Sequence, residues 1–280
     1  MNDISYRFLK KDEVLKGVQV FSQSMGRVSN GKVKLQTENF VLRLFKNKIA
    51  RFMVGELDNK KIVANGALIF QGESCWIGFM AVLPEFQRQG IGSKLFERLI
   101  EEALRLNSKS IDLYATEKGE QVYRKYGFQK LYSTSMYTIL KVPPENKNFK
   151  IKIEHSIQPW IYRFDQEAVG YDRKLYLESG FQPNAKILCL KDRGYAILNN
   201  DRLGPLIADS SEFALEIVRT AYNHGARRIL IPSHSKISET FFDTLELEEK
   251  AGTKNFRMTY ADTIPSKLSF LYAIRSFAGG

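Results

Sequence analysis

Residues 76–93 read WIGFMAVLPEFQRQGIGS, and the fold of this part of the chain follows from them. The first half is apolar and rich in aromatic and β-branched residues, which predicts a strand that ends before Pro84. Gly90 and Gly92 then open a segment with apolar side chains at helical spacing, namely Leu95, Phe96, Leu99, Ile100, Ala103 and Leu104. The pattern predicts a strand, a glycine-rich turn and a long helix with one buried face.

A glycine-rich turn at the start of a helix is typical of an anion-binding site. The first backbone N–H groups of a helix have no intrahelical partner, the macrodipole adds partial positive charge, and glycine lets an anion approach the main chain. Gln87, Gly90 and Gly92 fit the pattern Q/R-x-x-G-x-G/A. A G-x-G at a helix start is equally typical of a simple tight turn, so both interpretations stay open on these residues alone.

The segments around this turn predict an α/β unit with a mixed sheet. A short strand is expected near 4–9, helices near 11–25 and 36–47, and then a meander of three strands at 50–57, 60–70 and 74–82. After the long helix, alternating apolar residues predict a strand around 111–115, followed by a short helix at 117–126 and one or two strands within 128–140. Strand, helix and strand in this order imply a parallel pairing.

The second half of the chain repeats this order in outline. Residues 141–150, KVPPENKNFK, combine two prolines with polar side chains and predict a linker between domains 1–142 and 150–280. Beyond it we expect a helical segment at 158–179, three strands, a helix from Ser210, a strand at 227–232, a helix at 237–245 and late strands. The repeated order predicts two copies of one fold in tandem.

Composition narrows the class of protein. The chain has 280 residues, of which 44% are hydrophobic and 26% charged, as in a globular protein of two domains. No apolar stretch approaches the roughly 18 residues that span a bilayer, and the start of the chain lacks the apolar core of a signal peptide. We expect a cytoplasmic protein that does not contact a membrane, with its oligomeric state left open.

The net charge of +11 is concentrated in the first half, where 25 basic and 15 acidic side chains give +10, against 17 and 16 in the second half. Such a half attracts polyanions, including nucleic acid and phosphorylated cofactors. The basic residues are scattered singly or in pairs, which disfavours a nucleic-acid arm. Cys75, Cys189 and the three histidines form no metal-ligand pattern, so we assign no metal and expect no disulfide framework.

Three linked features resemble the GNAT superfamily of N-acetyltransferases: the strand ending FMAVLPEF, the loop QRQGIGSKL, and YRKYGF beginning 31 residues after Gly92. The resemblance implies acetyl-CoA as co-substrate. It also implies that the strand splays from its neighbour through a bulge, so that backbone groups of Met80, Ala81 and Val82 hold the pantetheine arm. The amides cradling the pyrophosphate would be those of Arg88, Gln89, Gly90, Ile91, Gly92 and Ser93.

The same resemblance assigns Tyr123, in Y-x-x-x-G-F, as the acid that protonates the departing CoA thiolate. A phenol of pKa about 10 is protonated at neutral pH, so it can donate to a thiolate; the alternative is that Tyr123 only packs, and Tyr126 is the weaker candidate. Many family members have Asn and Ala where this chain has Thr116 and Gly119, and the Thr116 hydroxyl keeps a possible cofactor contact.

No general base is evident, because the strand that often supplies a glutamate in this family reads CWIGFMAV. Asp112 and Glu117 are weak substitutes, and each is more simply a surface carboxylate. An α-amino acceptor of pKa near 8 needs only about 1.4 kcal/mol for deprotonation at pH 7, against about 4.6 kcal/mol for a lysine. A water chain would suffice for the former.

The second half resembles the divergent acetyltransferase-like domain that follows a GNAT domain in some prokaryotic proteins. LGPLIADSSEFAL has no Q/R-x-x-G-x-G loop, and Phe241 and Phe242 occupy the region where a Tyr would lie, so we expect no second acetyl-CoA. Residues that recur in that domain type could line the acceptor pocket or form structural ion pairs; they are Asp165, Asp172, Arg173 and Arg257.

The resemblance therefore implies an enzyme that transfers the acetyl group of acetyl-CoA to an amine by direct attack. The acceptor is a small-molecule or protein amine. Two alternatives remain from the sequence: a non-catalytic module that senses acyl-CoA, and a protein-modifying or nucleic-acid-associated acetyltransferase, which the +10 half favours.

Overall fold

A computed structural model describes residues 4–26, 35–144, 149–233, 243–261 and 264–280. The chain divides into two compact units, the first comprising residues up to Leu113 with Leu175–Gly180, and the second Tyr114–Lys174 with Phe181–Gly280. Along the chain, the first division between the two units falls between Leu113 and Tyr114. The predicted domain boundary at 141–150 stays a prediction.

The helices alternate with strands along most of the chain. They are α1 (Val14–Ser24), α2 (Leu35–Lys46), α3 (Ile91–Arg105), α4 (Glu117–Arg124), α5 (Pro159–Val169), α6 (Lys174–Gly180) and α7 (Ser211–Asn223), with short 3₁₀ helices at Lys11–Glu13, Pro84–Phe86 and Leu268–Phe270. Within the ranges given above, no helix is long and apolar enough to cross a bilayer.

The strands all belong to mixed sheets. They are β1 (Ile4–Phe8), β2 (Ala50–Leu57), β3 (Ile62–Gln71), β4 (Ser74–Val82), β5 (Ser110–Thr116), β6 (Gln129–Lys141), β7 (Lys152–Glu154), β8 (Lys186–Leu190), β9 (Gly194–Asn199), β10 (Arg202–Ala208), β11 (Arg228–Pro232), β12 (Glu246–Glu249), β13 (Asn255–Ala261) and β14 (Leu271–Ala273). The α/β class and the mixed sheet predicted from the sequence are confirmed.

In the first unit the strand order is β1–β2–β3–β4–β5, and only the β4–β5 pair is parallel. Helices α1 and α3 cover opposite faces of this sheet. Asn65 of β3 faces Gly17 of α1, whereas the next residue, Gly66, faces Leu99 of α3. Because successive strand residues point to opposite faces, this pair of neighbours places one helix on each side.

In the second unit the order is β13–β6–β11–β10–β9–β8–β7, with β12 also on β6 and β14 on β10. Helix α7 connects β10 to the parallel β11, and its buried face packs against β8, β9 and β10. The core there is apolar, with Leu206, Phe213 and Ile229 fully buried. Strand β6 is long because its first part pairs with β13 and its later part with β12.

Two sequence predictions differ from the structure in detail. The helix expected at 158–179 is broken into α5 and α6, because Gly170 adopts φ +91° and a Cβ there would lie 2.3 Å from the carbonyl oxygen of Pro265. The segment 128–140 forms a single strand. The helix predicted at 237–245, with Phe241 and Phe242, falls largely outside the described residues.

A buried ion pair joins α5 to the turn before α6. Arg173 donates through Nε and Nη2 to both carboxylate oxygens of Asp165, at 2.7 and 2.8 Å, and both side chains are 2% exposed. The Tyr195 hydroxyl donates to the same carboxylate. A buried pair satisfied in this way stabilises only as a set, since removing one partner leaves a desolvated charge.

Replacing Arg173 therefore tests how far the second unit depends on this pair. We expect Arg173→Met to lower the free energy of unfolding by about 3 to 5 kcal/mol, because the Asp165 carboxylate loses its cation. Arg228→Met is the control, since Arg228 and Asp201 are 42% and 39% exposed and such pairs contribute about 1 kcal/mol or less. Urea unfolding followed by circular dichroism measures both. Equal effects would contradict a structural role for the buried pair.

Candidate active site

The ladder between β3 and β4 contains a bulge. Asn65 pairs with Ala81, and Ala67 pairs with Gly78, so β4 has one more residue than β3 between these two pairs. The extra residue lies at Phe79–Met80, and Phe79 has φ +55°, a left-handed value that is uncommon outside glycine. An added residue bends the strand and redirects its side chains and backbone groups.

The bulge coincides with the end of the pairing between β4 and β5. The parallel ladder runs from Ser74↔Ser110 to Ile77↔Leu113, while β4 continues to Val82. Within the described part of the first unit, the residues of β4 after Ile77 have no ladder partner from β5. Backbone polar groups left in this way are available to hydrogen-bond an extended ligand.

The glycine turn leads directly from this strand end to α3. Gly90 is the residue before the helix and adopts φ +77°, with open space where a Cβ would be. Arg88 also has a positive φ, of 61°. No side chain caps the first turn of α3, so its N–H groups lack the acceptor that an N-terminal Ser, Thr or Asp supplies elsewhere.

The end of β4 and the start of α3 touch. A Cβ on Gly92 would lie 3.2 Å from Val82 Cγ2, so glycine permits the close approach. Gln87 Nε2 donates to the Val82 carbonyl at 2.9 Å, and Ser24 Oγ donates to the same oxygen at 3.1 Å. Any ligand contact of Val82 would therefore use its N–H.

The structure thus brings together two of the predicted groups in the first unit, the bulged strand and the turn. Met80 and Val82 are half-buried and Ala81 is buried, whereas the turn is largely exposed, with Ile91 buried beneath it. The residues of the turn are Arg88, Gln89, Gly90, Ile91, Gly92 and Ser93. The Gln89 side chain donates to the Glu85 carbonyl at 3.3 Å and so closes the turn.

The remaining predicted residues lie in the second unit on α4. Thr116 is the N-cap of this helix, and its hydroxyl accepts from the Gly119 N–H at 3.2 Å. A Cβ on Gly119 would lie 3.2 Å from the ring of Tyr123. Gly119 therefore makes room for the Tyr123 ring, which also lies 6.3 Å from the ring of Phe128.

The Tyr123 phenol is protonated at physiological pH. Its side chain is partly buried, and burial raises the pKa of the phenol to about 12, because the phenolate is poorly solvated there. Tyr126 lies on the following turn and is also half-buried.

The carboxylates considered as bases differ in their surroundings. Asp112 is 2% exposed and accepts from Ser74 Oγ at 2.9 Å and Ser110 Oγ at 3.0 Å. It joins β4 to β5 at the end of the sheet away from the bulge. Glu117 is exposed in the first turn of α4, where the helix dipole stabilises a carboxylate.

The charged residues singled out in the second half form no single cluster. Asp165 and Arg173 make the buried pair described above, but Asp172 is exposed and accepts from the Lys174 N–H at 2.8 Å. Arg257 is buried on β13 and its Nη1 donor lies 3.1 Å from the Tyr132 hydroxyl. For Asp165 and Arg173 the ion-pair interpretation accounts for the contacts.

No group of three or more metal-ligating side chains occurs among the described residues. Cys75 and Cys189 are buried free thiols, and burial raises the pKa of the Cys189 thiol to about 11. A surface cavity of about 300 Å³ lies between β1 and α3. Its Arg7 and Arg105 guanidinium groups are paired with glutamates, which does not suit an anionic ligand.

One residue beside the site was not singled out from the sequence. Asn65 is fully buried in β3, and its Nδ2 donates to the Phe79 carbonyl at 3.1 Å. The signal was a polar amide in the middle of the apolar strand IVANGALIF, a position where a buried polar group needs a partner.

Two family profiles match this chain, both described as an acetyltransferase (GNAT) domain, over residues 48–130 and 161–273. The chain therefore belongs to the GNAT acetyltransferase family and carries two GNAT domains in tandem. The acyl-transfer class predicted from the sequence is confirmed at this level.

Individual relatives agree. The chain is 25% identical over 234 residues to the uncharacterized N-acetyltransferase YitH of Bacillus subtilis, covering 78% of this chain and 81% of that protein. A crystal structure from Pyrococcus horikoshii, provisionally described as an acetyltransferase, matches with TM-score 0.84 and 26% identity over 99% of this chain and 96% of that one. An Enterococcus faecalis protein of unknown function matches with TM-score 0.63 and 13% identity over 95% and 73%, which shows the fold alone.

The geometry of the turn predicts a charge effect at Gly90. Asn and Asp have nearly the same shape and both tolerate a left-handed backbone, so Gly90→Asn and Gly90→Asp form a matched pair. We expect Gly90→Asp to bind coenzyme A at least about tenfold more weakly than Gly90→Asn, because its carboxylate would repel a phosphate at the helix N-terminus. Calorimetric titration measures the difference. Equal affinities of the two folded variants would contradict the assignment of the turn.

Proposed function

We propose that this protein transfers the acetyl group of acetyl-CoA to an amine. The observation that carries the proposal is the bulged strand β4 ending on the uncapped, glycine-led N-terminus of α3. The strand offers backbone groups to an extended arm, and the helix offers N–H groups to phosphate. A ligand with a pyrophosphate and a long amide-bearing arm, such as CoA, suits both.

The pyrophosphate would lie at Arg88–Ser93. The open space at Gly90 and the lack of a side chain at Gly92 let phosphate oxygens approach the main chain. The helix dipole favours their negative charge. The pantetheine arm would follow Met80, Ala81 and Val82, whose backbone is turned by the bulge. Thr116 already caps α4, so its contribution to the cofactor would be secondary.

The reaction is direct attack. The amine nitrogen forms a bond to the thioester carbon, the carbon–sulfur bond breaks, the amine loses a proton to solvent, and the thiolate gains one. Tyr123 would supply the second proton, since its raised pKa keeps the phenol protonated across the physiological range. The first proton leaves an α-amino group easily at neutral pH, so a water chain serves where Asp112 and Glu117 do not.

The two halves would not share this work equally. In the second unit, the N-terminus of α7 is capped by Ser210 Oγ, which accepts from the Phe213 N–H at 3.3 Å. Asp209 lies next to that cap and pairs with Arg193. A helix start already occupied by a hydroxyl and a carboxylate does not suit phosphate. The second domain, predicted at 150–280, would shape the acceptor site or act structurally.

Two other functions are distinguished from acetyl transfer to an amine by experiment. A non-catalytic module that senses acyl-CoA would bind the ligand without releasing free thiol in the presence of an amine panel. A nucleic-acid-associated acetyltransferase, suggested by the +10 of the first half, would give a salt-dependent gel shift. The scattered basic residues favour a small-molecule or protein amine as acceptor.

The role of Tyr123 is tested by Tyr123→Phe, which removes only the hydroxyl. We expect kcat to fall at least about 100-fold while acetyl-CoA affinity changes little, because general acid catalysis acts in the transition state. Tyr126→Phe is the matched control and should leave kcat nearly unchanged. Steady-state kinetics and the melting temperature are measured on the same preparations. An unchanged kcat in Tyr123→Phe would retire it as the acid and leave the role to Tyr126 or water.

The different N-termini of α3 and α7 predict one CoA site per chain. Saturating calorimetric titration with coenzyme A should give a stoichiometry of one, because α3 follows the glycine turn and begins without a side-chain cap, whereas Ser210 caps α7, the helix in the corresponding place of the second half. The Gly90→Asp variant supplies the control, since it should weaken binding at that one site. Two sites of similar affinity would show that the second domain keeps a cofactor site.

A further inference from the structure

The buried amide of Asn65 has a specific relation to the bulge. Asn65 is 0% exposed, and its Nδ2 donates to the carbonyl of Phe79, the bulge residue, at 3.1 Å. Its Oδ1 is also buried and has no hydrogen-bond partner among the described residues. Burying an unpaired amide oxygen costs free energy. A contribution to the stability of the fold therefore does not explain why an asparagine occupies this position.

The residue that Asn65 holds is itself in an unfavourable conformation. Phe79 has φ +55°, and a left-handed backbone is strained for a residue with a bulky side chain. Its ring packs 5.2 Å from that of Phe21 and 5.6 Å from that of Phe52. The ring contacts fix the side chain, whereas only the amide of Asn65 reaches the main chain of the bulge among the described side chains.

Helix α1 is shaped to admit this side chain. Gly17 lies in the interior of α1 and is buried, and in a helix interior glycine is less stable than alanine. A Cβ on Gly17 would lie 2.4 Å from Asn65 Oδ1. The glycine therefore provides the space that lets the amide point at Phe79.

We propose that Asn65 is a positioning residue that keeps the bulge of β4 in the shape needed to hold the pantetheine arm. The inference rests on the proposed function. Without the Asn65 donor, the Phe79 carbonyl is buried without a side-chain partner and the left-handed backbone relaxes. Met80 and Ala81 then lose their orientation, whereas the turn at Arg88–Ser93 keeps the hydrogen bond from Gln89 to the Glu85 carbonyl.

The test separates the two ends of the ligand. Acetyl-CoA engages both the strand and the turn, whereas adenosine 3′,5′-bisphosphate carries no pantetheine arm. For Asn65→Leu, we expect acetyl-CoA affinity to fall about tenfold or more, the equivalent of one lost buried hydrogen bond. Affinity for the bisphosphate should stay within about twofold, because the turn is an independent site. Calorimetric titration of the full chain gives both values.

Gln71→Leu is the matched control. Gln71 is a second buried amide on the same strand, 1% exposed, and it pairs with Ser74 at the end of the ladder away from the bulge. Its replacement should cost comparable stability and leave the ratio of the two affinities unchanged. A merely structural role of Asn65 would give the same unchanged ratio.

A second variant keeps the test independent of how Asn65→Leu folds. Gly17→Ala favours the helix but drives a methyl group against Asn65. It should therefore weaken the binding of acetyl-CoA more than that of the bisphosphate, as Asn65→Leu does. Selective loss in either folded variant supports the proposal. If the wild type binds acetyl-CoA and both ligands weaken equally, or neither weakens, Asn65 has no positioning role and the proposed function stands. If the wild type binds neither ligand, the proposed function fails and this inference fails with it.

Discussion

One extra residue in β4 governs the geometry of the first unit. Because Ala67 pairs with Gly78 and Asn65 with Ala81, β4 must bulge at Phe79–Met80, and a bulge increases local twist and bends a strand away from its neighbour. The ladder to β5 ends before this point, at Ile77↔Leu113. β4 continues to Val82, and beyond Ile77 it has no ladder partner from β5 within the described part of the first unit.

Helices α3 and α7 each follow a strand of their own sheet, but their N-termini are capped differently. α3 begins after Gly90 with no capping hydrogen bond from a side chain, and α7 begins after Ser210, whose hydroxyl accepts from the Phe213 N–H. Helix N–H groups need acceptors, and in α7 the chain itself supplies one. Under the proposed function, a ligand would supply the acceptor in α3. The tandem arrangement therefore need not imply duplicated chemistry.

Regular elements were predictable from the pattern of residues, whereas departures from regularity were not predictable from that pattern. The apolar stripe of α3 and the alternation in β5 gave both elements to within a residue or two, since periodicity reports directly on burial. The turn at Gly90 followed from its glycines. The bulge was expected only from the resemblance to a known family and not from the residue pattern, because Phe79 in a left-handed conformation contradicts local propensity and is held there by residues far away in sequence, Asn65 and Phe21. The break at Gly170 was missed for the same reason, as its cause is the distant carbonyl of Pro265.

Strand β6 carries a consequence for the order in which the chain is made. Its residues Gln129–Thr134 pair with β13 at Asn255–Thr259, and its later residues pair with β11 and β12. More than a hundred residues must be synthesised before the partner of Gln129 exists. Until then β6 presents unpaired edges, which are templates for association with other chains. A chain that stopped within residues 141–150 would contain β6 without β11, β12 and β13, so these edges of β6 would have no partner from the same chain.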